Sequence, residues 1–125
     1  MYVEWRWEWS FEILPQMLWA TLNTFLAAGV GYAIAAIVGI LFMLGQRTSY
    51  KIINIPTREI VEFIRSTPLL VQLFFVYFVA PQFGLTLSAW VCAMITIGLH
   101  YGTYLSEVYR GALEGVPKTQ WEACR

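Results

Sequence analysis

The stretch ILPQMLWATLNTFLAAGVGYAIAAIVGILFMLGQ, residues 13–46, holds no Asp, Glu, Lys or Arg. A helix crosses the roughly 30 Å hydrocarbon core of a bilayer with about 20 apolar residues, and this run exceeds that. It predicts a first transmembrane helix over residues 15–45. Pro15 falls in the expected first turn, where its missing N–H costs nothing. The surplus length predicts tilt or an interfacial first turn. Within the run Ala27, Gly31, Ala35 and Gly39 recur every four residues. That spacing puts small side chains on one face, where another helix can approach closely. Leucine at Gly31 or Ala35 is accordingly expected to weaken assembly with a partner subunit, and leucine at Ala28 to be tolerated better.

A second run, Ser66 to Ser106, carries no charge apart from the titratable His100. It is too long for one helix, and Pro81-Gln82-Phe83-Gly84 breaks it. The part before the break is too short to span. The second helix must therefore borrow from the charged residues ahead of it, with Thr57 as N-cap after Pro56. Arg58, Glu59, Glu62 and Arg65 then share one helical face, with Ile60, Val61, Phe63 and Ile64 around the other side. Such a segment lies at the membrane interface, and Pro68 kinks the helix where it enters the bilayer. The resulting plan has seven parts: an interfacial N-terminus outside (1–14), the first span (15–45), a cytoplasmic loop (46–56), the second helix (57–80), an outer loop (81–85), the third span (86–106) and a cytoplasmic tail (107–125).

Composition supports this class. Apolar residues make up 58% of the 125 and charged residues 13%, where soluble chains carry about 25% charged. The fold class is all-α, a polytopic transmembrane bundle. Seven basic residues (Arg47, Lys51, Arg58, Arg65, Arg110, Lys118, Arg125) flank one side and only Arg6 the other. The positive-inside rule puts the N-terminus outside and the C-terminus in the cytoplasm, as three spans require. Trp5, Trp7, Trp9 and Trp19 fit an outer aromatic belt. Glu4, Glu8 and Glu12 against Arg6 exclude a secretory signal peptide. Cys92 and Cys124 sit at different depths, which argues against a disulfide, and a lone histidine argues against a metal site. With zero net charge, no nucleic-acid partner is expected.

No catalytic constellation, Walker A motif or dinucleotide fingerprint is present, so the chain reads as no enzyme. Its polar signal is a stripe down one face of the third span: Cys92, Thr96, His100, Thr103 and Glu107, at steps of four, four, three and four. Polar groups facing hydrocarbon are costly, so the stripe must face protein or a water-filled cavity. It either lines a solute path, with Thr67 and Gln72 of the second helix, or ties the bundle together by hydrogen bonds. Gly98 and Gly102 add a close-packing GxxxG on a face partly turned away from the stripe. After Pro117, Thr119 and Glu122 fit a capping box, so a new helix should begin near Gln120. The sequence then ends within two turns, which reads as a cut chain.

Two stretches carry a resemblance: Arg65-Ser-Thr-Pro-Leu-Leu-Val-Gln-Leu-Phe-Phe75, and Glu107-Val-Tyr-Arg-Gly-Ala-Leu113 followed by Val116-Pro-Lys-Thr-Gln-Trp-Glu-Ala123. They resemble the permease subunits of polar amino-acid ABC importers, in the same order of elements. The second stretch looks like the start of that family's cytoplasmic loop. By that resemblance Pro117, Lys118, Gln120, Glu122, Ala123 and Cys124 would dock an ATPase subunit, with Cys124 standing where the motif has alanine. The Trp-rich start, Phe83-Gly-Leu-Thr-Leu-Ser88 and Leu99-His-Tyr101 look most like ectoine and hydroxyectoine permeases. The resemblance implies a five-helix permease in the bacterial inner membrane, about two helices longer than this sequence. It implies alternating access and a homo- or heterodimer with a second permease subunit. It also implies two ATPase subunits that use the ATP, a solute-binding protein outside, and no cofactor on this chain. The rival readings are an ATP-independent carrier, which would lack a docking segment, and a non-transport membrane module, which would not need the polar stripe.

Overall fold

The computed structural model describes residues 7–123, and among them every regular element is helical. Helix α1 is Trp7–Arg47, α2 is Lys51–Ser66 and α3 is Leu69–Phe74. Helix α3 continues as a π-helical turn, Phe75–Val79, and a 3₁₀ turn, Ala80–Phe83. Helix α4 is Ala89–Glu114 and α5 is Lys118–Ala123.

The 41 residues of α1 extend about 60 Å, twice the hydrocarbon thickness. Pro15 lies inside this helix and not in its first turn. Proline removes one i→i−4 bond, a single loss in a helix this long, and Glu8 in the first turn suits the positive end of the helix dipole. The tryptophans Trp7, Trp9 and Trp19 are exposed; Trp5 and Arg6 lie outside the described residues.

Helices α1 and α4 run parallel along each other, in a register set by glycines. A Cβ on Gly31 would meet Ile97, on Gly98 would meet Ile34, on Gly102 would meet Val38, and on Gly39 would meet Leu105 and Tyr109. Each helix thus offers small residues to the other's branched ones. The four-residue stripe of α1 is filled by α4 of the same chain, not by a partner subunit: Gly31, Ala35 and Gly39 are buried there, and Ala27, nearer the free end, is half-buried. Gly98 and Gly102 are buried with them.

The expected 46–56 loop is corrected to a tight corner. Helix α1 runs on through Arg47, and α2 starts at Lys51. Asn54 closes the corner, donating from Nδ2 to the Gln46 and Thr48 carbonyls. Thr57 is therefore no N-cap: it sits mid-helix, its hydroxyl donating to Ile53 O at 2.7 Å. Pro56 is inside α2 as well. Between α2 and α3 the chain bends by 103° at Thr67-Pro68. Gly84, at φ +82°, then ends the 3₁₀ turn in the left-handed region that glycine enters freely. Helix α4 begins at Ala89, with Ser88 capping Val91 N–H, and continues to Glu114, past the expected end at Ser106. By length and apolarity α1 qualifies as a span alone, and the bent α2–α3 pair qualifies together. Helix α4 does not qualify by that measure of length and composition.

Candidate solute path and polar cleft

The elbow between α2 and α3 packs against α4 around a largely apolar cavity of about 410 Å³. Of the five candidate path residues, Thr67, Gln72 and Thr96 line it, and His100 joins them through Gln72, whose Nε2 is 3.1 Å from Nδ1. Thr103 does not reach this cavity; it is fully buried, its hydroxyl donating to His100 O at 2.6 Å. Thr96 likewise donates to Cys92 O at 2.7 Å. These hydroxyls satisfy themselves on the preceding turn of their own helix, a common solution in apolar surroundings. Cys92 is buried and unpaired with sulfur; Cys124 lies outside the described residues. No group of residues suited to a metal ion occurs among the described residues.

A second, polar cavity of about 570 Å³ opens between α2, α4 and the end of α1. Gln46, Arg58, Glu62, Arg65, Tyr104, Glu107 and Arg110 line it. Arg58, Glu62 and Arg65 of the charged face of α2 thus border this open cleft while staying exposed, and Ile52, Ile60 and Phe63 are exposed on the other side. Glu107, the last member of the stripe, is 2.6 Å from Arg110, which also reaches Glu114 at 2.9 Å. The Arg110 hydrogen bond holds the Glu107 carboxyl below its ordinary range, against a smaller opposing effect of burial. A carboxylate with a depressed pKa stabilises the fold above its ordinary range, and the effect fades as pH falls through the depressed value. Glu107→Gln should thus narrow the gap between the thermal midpoints at neutral and acid pH. The change should be small, because half-exposed ion pairs contribute little.

This cleft was missed in the sequence. Its signal was the matched spacing of Arg58, Glu62 and Arg65 on one helix and Glu107 and Arg110 on another. Only folding shows that the two rows face each other.

The tail departs from expectation in detail. Helix α4 ends at Gly115, whose N–H bonds Gly111 O, and α5 starts at Lys118, with Gln120 N–H on Pro117 O. Thr119 is thus the second residue of the helix and not its cap, so no capping box forms. Gln120, Glu122 and Ala123 are exposed, and α5 packs on no other described element.

A crystal structure of an amino acid ABC transporter with histidines has the same fold. It superposes with a TM-score of 0.74 at 25% identity, over 100% of this chain and 57% of that one. The probable amino-acid ABC transporter permease protein y4tG of Sinorhizobium fredii is 37% identical, over 93% of this chain and 50% of its own length. By sequence and by fold, the chain is related to the amino-acid ABC transporter permeases. The L-cystine transport system permease protein TcyB of Bacillus subtilis is 31% identical over 90% of this chain and 50% of its own. The inner membrane amino-acid ABC transporter permease protein YhdY of Escherichia coli is 36% identical over 91% and 32%. The chain spans about half the length of the first two of these relatives. No family model matches it.

Proposed function

We propose that this chain forms part of the membrane-spanning wall of a bacterial ATP-driven importer for amino-acid-like solutes. The likeness in sequence and fold to permeases of that kind, extending over nearly the whole chain, carries the reading. In it the elbow cavity and His100 face the solute, α5 with Pro117–Cys124 docks the ATPase, and a second permease subunit completes the path. A solute-binding protein delivers from outside, and ATP is consumed by the partner. Ectoine and hydroxyectoine are the first solutes to try, because residues 83–88 and 99–101 resemble permeases for them. Deleting the gene should abolish uptake of one labelled solute from a panel of amino acids and ectoines. Unchanged uptake of every one would refute the importer reading.

The proposed topology is N-terminus out and C-terminus in, with three passes. The parallel course of α1 and α4 supports it, since two parallel spans require a return pass, which the α2–α3 pair supplies. Cysteines at Gln82 and Ser49, both exposed, should react with impermeant maleimide from opposite sides, Gln82 from outside. Labelling of Ser49 from outside would reverse the orientation.

A further inference from the structure

The last carbonyls of a helix have no partner within it, and a bend buried in a membrane protein must satisfy them some other way. At the end of α2, Phe63 O accepts from Ser66 Oγ at 2.9 Å and from Thr67 Oγ1 at 2.8 Å. Arg65 O accepts from the Tyr104 hydroxyl at 3.5 Å. Ile64 O and Thr67 O both accept from one group, Gln72 Nε2, at 2.7 and 2.9 Å. Two carbonyls on one side fix the amide with its nitrogen toward them, because its oxygen there would face only acceptors.

That same nitrogen lies 3.1 Å from His100 Nδ1. The NH₂ has two hydrogens for three acceptors, so Nδ1 shares one of them with a carbonyl; because the group only donates, Nδ1 must present its lone pair and the ring proton must sit on Nε2. We propose that Gln72 and His100 form a latch that fixes the elbow between α2 and α3 against α4, and that protonation of the imidazole opens it. With a proton on Nδ1, two donors would face each other, and the contact could not survive. The elbow would lose its side-chain tie from α3 to α4. The cavity of about 410 Å³ is bounded by both limbs of the elbow, so its shape follows their angle.

The surroundings allow such a switch. On α4, the rings of Tyr101 and Tyr104 lie 5.4 and 5.3 Å from the imidazole. From α2, the Arg65 guanidinium stacks 5.0 Å over Tyr104, and Glu62 lines the neighbouring cleft with that tyrosine. Glu107, on α4, is engaged by Arg110. The buried residues of α1 against α4 are Gly31, Ala35, Gly39, Met43 and Gln46, none of them titratable. Among the described residues, no carboxylate hydrogen-bonds His100 in a way that would hold the charged ring in place.

The test uses the whole chain in lipid nanodiscs, with Cys92→Ala and Cys124→Ala, and spin labels on Phe78→Cys and Val108→Cys, exposed positions on the continuation of α3 and on α4, the two sides that the latch joins. Swinging α3 away from α4 by roughly 20° moves residue 78, about ten residues from the elbow, by about 5 Å. The inter-label distance should shift by that order between about pH 7.5 and about pH 5, either side of the ordinary histidine range. His100→Asn puts an uncharged acceptor near the place of Nδ1 and should keep the neutral-pH distance at both values. Gln72→Leu should show the shifted or broadened distribution at both, with helical content unchanged by circular dichroism. An unchanged wild-type distance, or a shift that persists in His100→Asn, overturns the latch, whether or not Gln72→Leu folds.

Discussion

Gly98→Leu is expected to separate α1 from α4 and to remove most of the stability of this bundle. A bare Cβ at Gly98 would already lie 2.4 Å from Ile34 Cγ2 and 2.7 Å from Ile34 Cβ. Ile34 cannot swing aside, because β-branched side chains in helices are held to essentially one rotamer. The Gly31 carbonyl, 3.4 Å from the same point, bars retreat in the other direction. Overpacking a well-filled site costs about 1–3 kcal/mol per insertion, and leucine adds three carbons beyond Cβ. Membrane helices gain no hydrophobic drive from meeting each other, so close packing carries much of their association. Protease resistance and unfolding by denaturing detergent give the measure. Gly111→Leu, at a site with nothing within 4 Å, should behave like wild type. Ile34→Ala should partly restore Gly98→Ala, since it removes Cγ2, the nearer of the two atoms in conflict. Equal stability of the two leucine variants would show that this glycine seam does not hold the helices.

The seam was legible in the sequence as a period of small residues, but its partner was not. A four-residue repeat in α1 says that something packs closely there; it cannot say whether the neighbour belongs to the same chain. The reciprocal signal, the close-packing Gly98 and Gly102 on the third helix, is present too, but nothing in the sequence pairs the two seams. Helix existence followed from charge-free length and proved robust. Boundaries did not, because they were decided by competing local bonds. Thr57 looks like an N-cap after proline, yet Asn54 reaches back to the Gln46 and Thr48 carbonyls and starts α2 earlier. Thr119 looks like a cap, yet Pro117 O takes the first helical bond.

Site residues show the same division. The stripe on α4 was readable from periodicity, and most of it is buried against protein as the cost of exposing polar groups demands. What periodicity could not give is which member meets another element. Thr96 and Thr103 turn their hydroxyls onto their own helix, whereas His100 reaches across to Gln72. That distinction depends on the 103° elbow, which Pro68 announces without fixing its angle. The π-helical turn at Phe75–Val79 has no sequence signature either.

On the proposed importer function, Ala123→Leu is expected to leave membrane insertion intact and to abolish solute-stimulated ATP hydrolysis in the complete complex. Helix α5 has six residues and packs on no other described element. A helix that short is marginal in water, so a stable role for it requires a surface outside the described residues. Its small residue Ala123 is exposed, as a residue meeting such a surface must be before assembly. Filling that contact should cost about 1–3 kcal/mol, roughly a five- to 150-fold loss of affinity. A contact that transmits force loses its geometry as well as its energy. Thr119→Ala is the informative control. Were Thr119 an N-cap, its loss would cost about 1 kcal/mol; as the second residue of α5 it should cost little, and stimulation should persist. The measurement is ATPase rate with and without solute, on the purified complex with its binding protein. Full stimulation in Ala123→Leu would remove α5 from the coupling contact, whereas a complex without the substitution that shows no stimulation by any solute would favour a carrier that works without ATP.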